Sequence, residues 1–222
     1  MDISNNITEE LITYSKRIGI DLIGFADPKL VYKYSKVNIS FPKEIGTIII
    51  IGMYLFDIIL DAWCQNHDNK KEFHFLDSIL ENRCHLIKDY LGKEGFKSKI
   101  ISYSPGLFLK DIAALAGIGP IGKNNLLITP DFGSQVRLRA LITTAKLQYG
   151  NPVFKNKFCE NCELCIEACP ANALENERYN KDKCLSYNHN NLRKLSKKTS
   201  IWCNICIDSC PIRKKSTDLK EI

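Results

Sequence analysis

Ten cysteines stand in this chain of 222 residues, and their types and spacing point to metal chemistry. One run reads Cys159-Glu-Asn-Cys162-Glu-Leu-Cys165-Ile-Glu-Ala-Cys169-Pro170. A second reads Cys203-Asn-Ile-Cys206-Ile-Asp-Ser-Cys210-Pro211, with Cys184 alone between the two. The first run matches C-x2-C-x2-C-x3-C-P, the bacterial pattern for cubane iron–sulfur clusters, and the second is that pattern without its leading cysteine. Three thiolates at three-residue steps curl around one corner of a cube. The fourth, turned aside at the proline, reaches a neighbouring cube. By that rule Cys159, Cys162 and Cys165 hold one 4Fe–4S cluster, completed by Cys210. Cys203 and Cys206 hold a second, completed by Cys169, and Cys184 is the candidate for the position still open.

Two other uses of cysteine are disfavoured. Zinc takes well-separated C-x2-C pairs, four ligands to an ion, and a third cysteine followed by Cys-Pro does not fit that habit. Disulfides need an oxidising compartment. The opening Met1-Asp-Ile-Ser-Asn-Asn is polar and gives no secretory leader, so a cytoplasmic protein is expected. Cys64 and Cys84 lack C-x-x-C partners and read as small apolar fillers.

The composition, 45% hydrophobic and 25% charged, is that of a globular chain, and no apolar run reaches the length of a membrane span. The net charge of +6 hints at nucleic acid. Thiolates on metal lower it, however, and the lysines are scattered apart from Arg193–Lys198 and Arg213–Lys215. A solvated basic face is the preferred reading.

The elements that must position the cysteines follow from periodicity. Asn6 with Glu9 suggests a capping box, ahead of a helix with Ile7, Leu11, Tyr14 and Ile18 on one face and Gly19 at its end. Ile20–Ala26, Thr47–Met53, Lys97–Tyr103 and Val136–Thr144 read as strands. The second is buried on both faces, and the last has Arg137 and Arg139 on a wet face. Phe75–Leu91 reads as a helix stopped by Gly92, Leu107–Ala116 as another, and Gln65–Lys71 as a loop. Helices and strands alternate to about residue 146, which predicts an α+β (α/β-like) domain over 1–146 and a cluster domain over 147–222.

Gly117-x-Gly119-x-x-Gly122-Lys123 matches the dinucleotide fingerprint in letters only: a helix precedes it and Pro120 interrupts it. It also falls short of a phosphate loop, because Asn124 stands where a hydroxyl is needed for magnesium. What survives is backbone able to approach something closely, or else a tight loop with no ligand.

Around this loop the chain resembles the epoxyqueuosine reductase family. The stretches that carry the resemblance are Leu115–Ile128, Phe132-Gly-Ser134, Leu141–Thr144, Ile20–Ala26 and the strand at Thr47. Lys183-Cys184-Leu-Ser186-Tyr187 and the two cysteine runs extend it over nearly the whole chain. The resemblance implies a nitroreductase-like catalytic domain, related to reductive dehalogenases, that binds cobalamin next to a two-cluster ferredoxin-like domain. It implies electrons passing from an external low-potential donor, in a low-oxygen cell, through both clusters to reductive removal of an oxygen or halogen. It places Gly117, Gly119, Gly122, Lys123 and Ser186 near the cofactor. At the family's proton-donating aspartate this chain has Tyr103, whose phenol is the candidate acid. The tRNA-modifying members continue into helical repeats, whereas here Ile212–Ile222 follow the last cysteine. The expected substrate is therefore a small or nucleoside-like molecule, with tRNA less favoured. Flavin in place of cobalamin, or an electron-transfer protein that reduces a partner corrinoid or flavin protein, are the alternatives. No cobalamin-binding D-x-H-x-x-G motif surrounds His67, His74, His85 or His189.

Overall fold

The computed structural model describes residues 3–34, 42, 44–66, 71–102, 108–175 and 178–212. In chain order these form α1 (Ile3–Arg17), β1 (Leu22–Ala26), α2 (Pro28–Tyr34), β2 (Thr47–Tyr54), β3 (Trp63–Asn66), β4 (Lys71–His74), α3 (Phe75–Lys93) and β5 (Ser98–Ile100). Then come α4 (Leu109–Leu115), β6 (Val136–Thr143), α5 (Leu164–Glu167), β7 (Leu174–Glu175), β8 (Arg178–Tyr179), α6 (Lys181–Asn190), β9 (Arg193–Lys194), β10 (Thr199–Ile201) and α7 (Ile205–Asp208). The mixed helices and sheets are those expected for an α+β chain.

These elements gather into two compact units that interleave along the sequence. One holds residues 1–53, 79–119 and 137–154; the other holds 54–78, 120–136 and 155–222. Where periodicity suggests a single cut near residue 146, contacts assign two earlier segments, 54–78 and 120–136, to the unit that carries the cysteine runs.

The first unit is built on a sheet in the order β1-β2-β6-β5. β1 and β2 run antiparallel with Leu22 opposite Gly52 and Ala26 opposite Ile48, and β5 pairs antiparallel with β6. β2 is buried from Thr47 to Gly52, so its β-branched residues pack on both faces of the sheet. Leu11, Phe25, Ile49, Ile51, Leu80 and Leu141 sit in one apolar cluster, and Cys84 lies fully buried among them. That is the filler role expected of it.

Helix ends correct two expectations, and one strand residue corrects a third. α1 begins at Ile3, so Asn6 lies inside the helix, where its amide donates to the Glu10 carboxylate at 2.9 Å instead of capping. Gly19 ends α1 as expected, at φ +76°. Its N–H reaches Lys16 O, and that of Ile20 reaches Ser15 O, each at 3.0 Å. This is the paired bonding of a left-handed glycine cap. α3 runs past Gly92; Gly95, at φ +85°, is the residue that adopts the capping conformation. Arg139 does not face water. It is 4% exposed, pairs with Glu81 at 3.1 Å and donates to Ile101 O at 3.5 Å. These two partners offset part of the cost of burying the cation.

In the second unit β3 and β4 pair antiparallel on either side of the expected loop, taking in its ends Gln65, Asn66 and Lys71, while residues 67–70 lie outside the described residues; the pair continues into a sheet ordered β4-β3-β10-β9. Cys64 on β3 lies 3.1 Å from the Thr199 hydroxyl on β10. Among the described residues no helix is long and apolar enough to cross a membrane.

Candidate iron–sulfur centre

The two cysteine runs fold alike because they carry the same local signals. In each, a short helix opens two residues after a cysteine: α5 after Cys162 and α7 after Cys203. Ile166 N–H donates to Glu163 O, and Ile207 N–H to Asn204 O, both at 2.8 Å. Cys169 N–H closes on Ile166 O at 3.2 Å, and Cys210 N–H on Ile207 O at 3.1 Å. One turn therefore separates Cys165 from Cys169, and Cys206 from Cys210, before each proline ends the turn.

Cys159, Cys162, Cys165 and Cys210 line one cavity together with Asn124, Ile128 and Phe158. Cys165 and Cys210 are both 8% exposed. Burial raises the Cys165 thiol, and the charges of Cys159, Cys162 and Cys210 raise it further. Among the described residues no three Cys, His, Asp or Glu side chains converge as they would around a single ion. The four thiols instead surround a space.

Cys169, Cys184, Cys203 and Cys206 form the other group. Burial pushes Cys206 up to about 12, with Cys203, Cys184, Cys165 and Cys169 adding like charge. Burial also raises Cys203, to which Cys184 and Cys169 contribute. Such thiols stay protonated until a cation takes the proton's place, so metal binding here would release protons. Cys184 is brought in by α6. Asn180 caps that helix through Lys183 N–H at 3.0 Å, and its own N–H reaches Ala173 O at 2.8 Å. The start of α6 is thus tied four residues beyond Cys169. Lys183 adds a 2.8 Å pair to Glu175 and a bond to Asn172 O at 3.3 Å.

Several residues around these thiols escape sequence reasoning. Asn188 bonds to Cys184 and Cys203. Burial first, then the neighbouring Cys184 sulfur, raises the Tyr179 phenol. Asn124, 5% exposed in the cavity of the first group, reaches the Cys206 carbonyl at 3.5 Å. Trp202, next to Cys203, stacks on Trp63 at 5.4 Å, and His189 meets Trp202 edge-on at 5.5 Å, a packing role for that histidine. None of these belongs to a spacing motif; only Asn188, four residues from Cys184 on a helix, could have been suspected.

The glycine loop divides by role. Gly117, at φ +80°, caps α4: its N–H reaches Ala114 O at 3.1 Å and that of Ile118 reaches Ala113 O at 3.0 Å. A Cβ on it would stand 2.8 Å from Asn151 O. Gly122 has its open side filled by Asn124 and Ile128, at 2.7 and 2.8 Å from an added Cβ. Lys123 pairs with Glu163 at 3.5 Å. Gly119 is buried, and Ser186 is exposed on α6. Gly117 and Gly122 thus meet their own chain. Tyr103 lies outside the described residues.

Comparison with known proteins gives the class first. Residues 158–213 match the 4Fe–4S double cluster binding domain, so the chain carries an iron–sulfur double-cluster domain. The fold is shared with an epoxyqueuosine reductase crystallised with an epoxyqueuosine-modified tRNA-Tyr stem loop, at TM-score 0.69 and 22% identity over 93% of this chain and 65% of that one. It is shared also with a reductive dehalogenase whose structure suggests a mechanism for B12-dependent dehalogenation, at TM-score 0.72 and 15% identity over 98% and 33%.

By sequence the chain is a relative of the epoxyqueuosine reductases. It is 28% identical to that of Bacillus subtilis (strain 168) over 218 residues, 82% of this chain and 55% of the relative. It is 34% identical to that of Prochlorococcus marinus (strain NATL2A) over 157 residues, 65% and 49%. The chain spans about half the length of these curated relatives.

Proposed function

We propose that the chain is an iron–sulfur reductase with two 4Fe–4S clusters. Cys159, Cys162, Cys165 and Cys210 hold one cluster, and Cys169, Cys184, Cys203 and Cys206 hold the other. The carrying observation is the cavity that Cys210 lines with the first run, thiols separated by more than forty positions. Electrons enter from an external low-potential donor and leave for a reductive step on a small or nucleoside-like substrate. The protein works in the cytoplasm, at low oxygen. The organic cofactor in this reading is cobalamin, supported by the dehalogenase of shared fold. When bound, it supplies a reduced cobalt able to remove an oxygen or halogen. Tyr103 is the proton donor in this reading, and Tyr103→Phe loses at least about 100-fold in turnover while cluster content stays full.

The engagement of Gly117 and Gly122 by their own chain favours a second reading, an electron-transfer protein that reduces a separate corrinoid or flavin protein. Anaerobic reconstitution with iron and sulfide, then titration with cobalamin or flavin, separates the two. A cofactor-dependent change in the visible spectrum, with turnover of the epoxide as nucleoside or in tRNA, supports the reductase. Full clusters with no cofactor uptake support the carrier. Failure to take up about eight irons sinks both.

A further inference from the structure

We propose that Asn188 is the positioning residue of the second cluster: it fixes Cys184 to the second cysteine run and donates a hydrogen bond to the Cys184 sulfur. The proposal rests on the double-cluster reading above and concerns the one ligand that belongs to neither run. Cys184 lies 15 residues beyond Cys169 and 19 before Cys203, so no turn motif can set its distance from the others. Something in the tertiary structure must do so.

Asn188 has the placement for it. Four residues after Cys184 on α6, it shares that helix face. It is 6% exposed, and a buried amide is costly unless both its ends are bonded. Its Oδ1 accepts from the Cys203 N–H at 2.6 Å. Its Nδ2 lies 2.9 Å from the Cys184 carbonyl and 3.5 Å from the Cys184 sulfur. The orientation of the amide is fixed by chemistry: a backbone N–H can only donate, so the oxygen must face Cys203 and the NH₂ must face Cys184. One side chain thus ties the lone ligand to the first ligand of the second run.

An N–H···S bond stabilises negative charge on the thiolate, and hence the reduced cluster, which raises the reduction potential. Asn188→Asp keeps the acceptor and the size but removes the donor. Asn188→Leu removes both bonds at similar volume. Both are to be reconstituted anaerobically, counted for iron and sulfide, and titrated by EPR.

For Asn188→Asp the expected result is a fall in the midpoint of one cluster. The reduced-to-oxidised ratio at fixed potential changes by about tenfold, which is ~59 mV for one electron. The other cluster keeps its midpoint. For Asn188→Leu iron falls from about eight toward about four, with the surviving cluster unchanged. Selective loss of one cluster in either variant supports the positioning role equally. Full iron with both midpoints at their wild-type values in both variants overturns it. Equal loss of both clusters overturns it as well, because that marks a general folding defect. A wild-type chain that takes up no clusters sinks the double-cluster reading itself. Silent variants of a fully loaded wild type sink only the role of Asn188.

Discussion

The sheet unit and the cysteine unit solve the same problem with different materials. The first buries Leu11, Ile49, Ile51, Leu80, Ile87 and Leu91 completely, around a strand covered on both faces. Its order comes from apolar area removed from water and from close packing. The elements of the second around the cysteines are short: α5 and α7 have four residues each and β7 and β8 two. Helices of one turn do not hold themselves together. What these pieces share is a set of thiols, of which burial raises Cys165 and Cys206. The contrast leads to an expectation: the sheet unit should hold by its own packing, whereas the other should depend on what its sulfurs bind.

The largest effect should come from iron removal. Anaerobic chelation of reconstituted protein is expected to abolish hydrogen-exchange protection across residues 155–212 while β1, β2 and β6 keep theirs. Equal protection before and after chelation would erase the contrast between the units. Next is Cys184→Ala, which should halve the iron, to about four per chain, and leave one EPR signal. Retention of both signals would show that Cys184 is not a ligand.

The sheet unit should respond to packing instead. Ile49→Ala, in the apolar cluster, should cost about 2–5 kcal/mol in denaturant unfolding, with iron per folded chain unchanged. A loss of iron per folded chain would mean the two units are not independent in this respect.

The smallest effect concerns Tyr149. Its hydroxyl donates to Gly46 O at 2.6 Å, and burial, helped by Asp27, raises the phenol. Tyr149→Phe should cost about 1 kcal/mol near neutral pH. A raised folded-state value means that the contribution is present below the ordinary tyrosine range, about pH 10, and is lost as pH rises through the folded value. The gap between wild type and variant should therefore close in alkali. A constant gap across that range would assign the cost to something other than ionisation.

Much of the sheet was legible. The β-branched run at Thr47, the periodic face of α1 and the Gly19 stop are local signals, and each matches an observed element. Arg139 was misread because alternation says which side a residue faces, not whether Glu81 stands there to receive it. Gly92 and Gly95 look alike as letters; only the backbone shows which one turns left-handed. The β3–β4 hairpin was missed because its pairing is completed by β10, more than 120 residues away.

The sequence by itself determined the chemistry of the cysteines. Their spacing fixes which of them can share a turn, and turn geometry is local, so the kind of centre they can build is written in their order. Only the tertiary structure decided what surrounds them. It put Asn188 between Cys184 and Cys203, Asn124 against Cys206, and Gly117 at a helix end against Asn151. Apart from the one-turn step from Cys184 to Asn188, those are contacts between residues far apart in sequence, made by packing and hydrogen bonding across the fold, and no spacing motif encodes them.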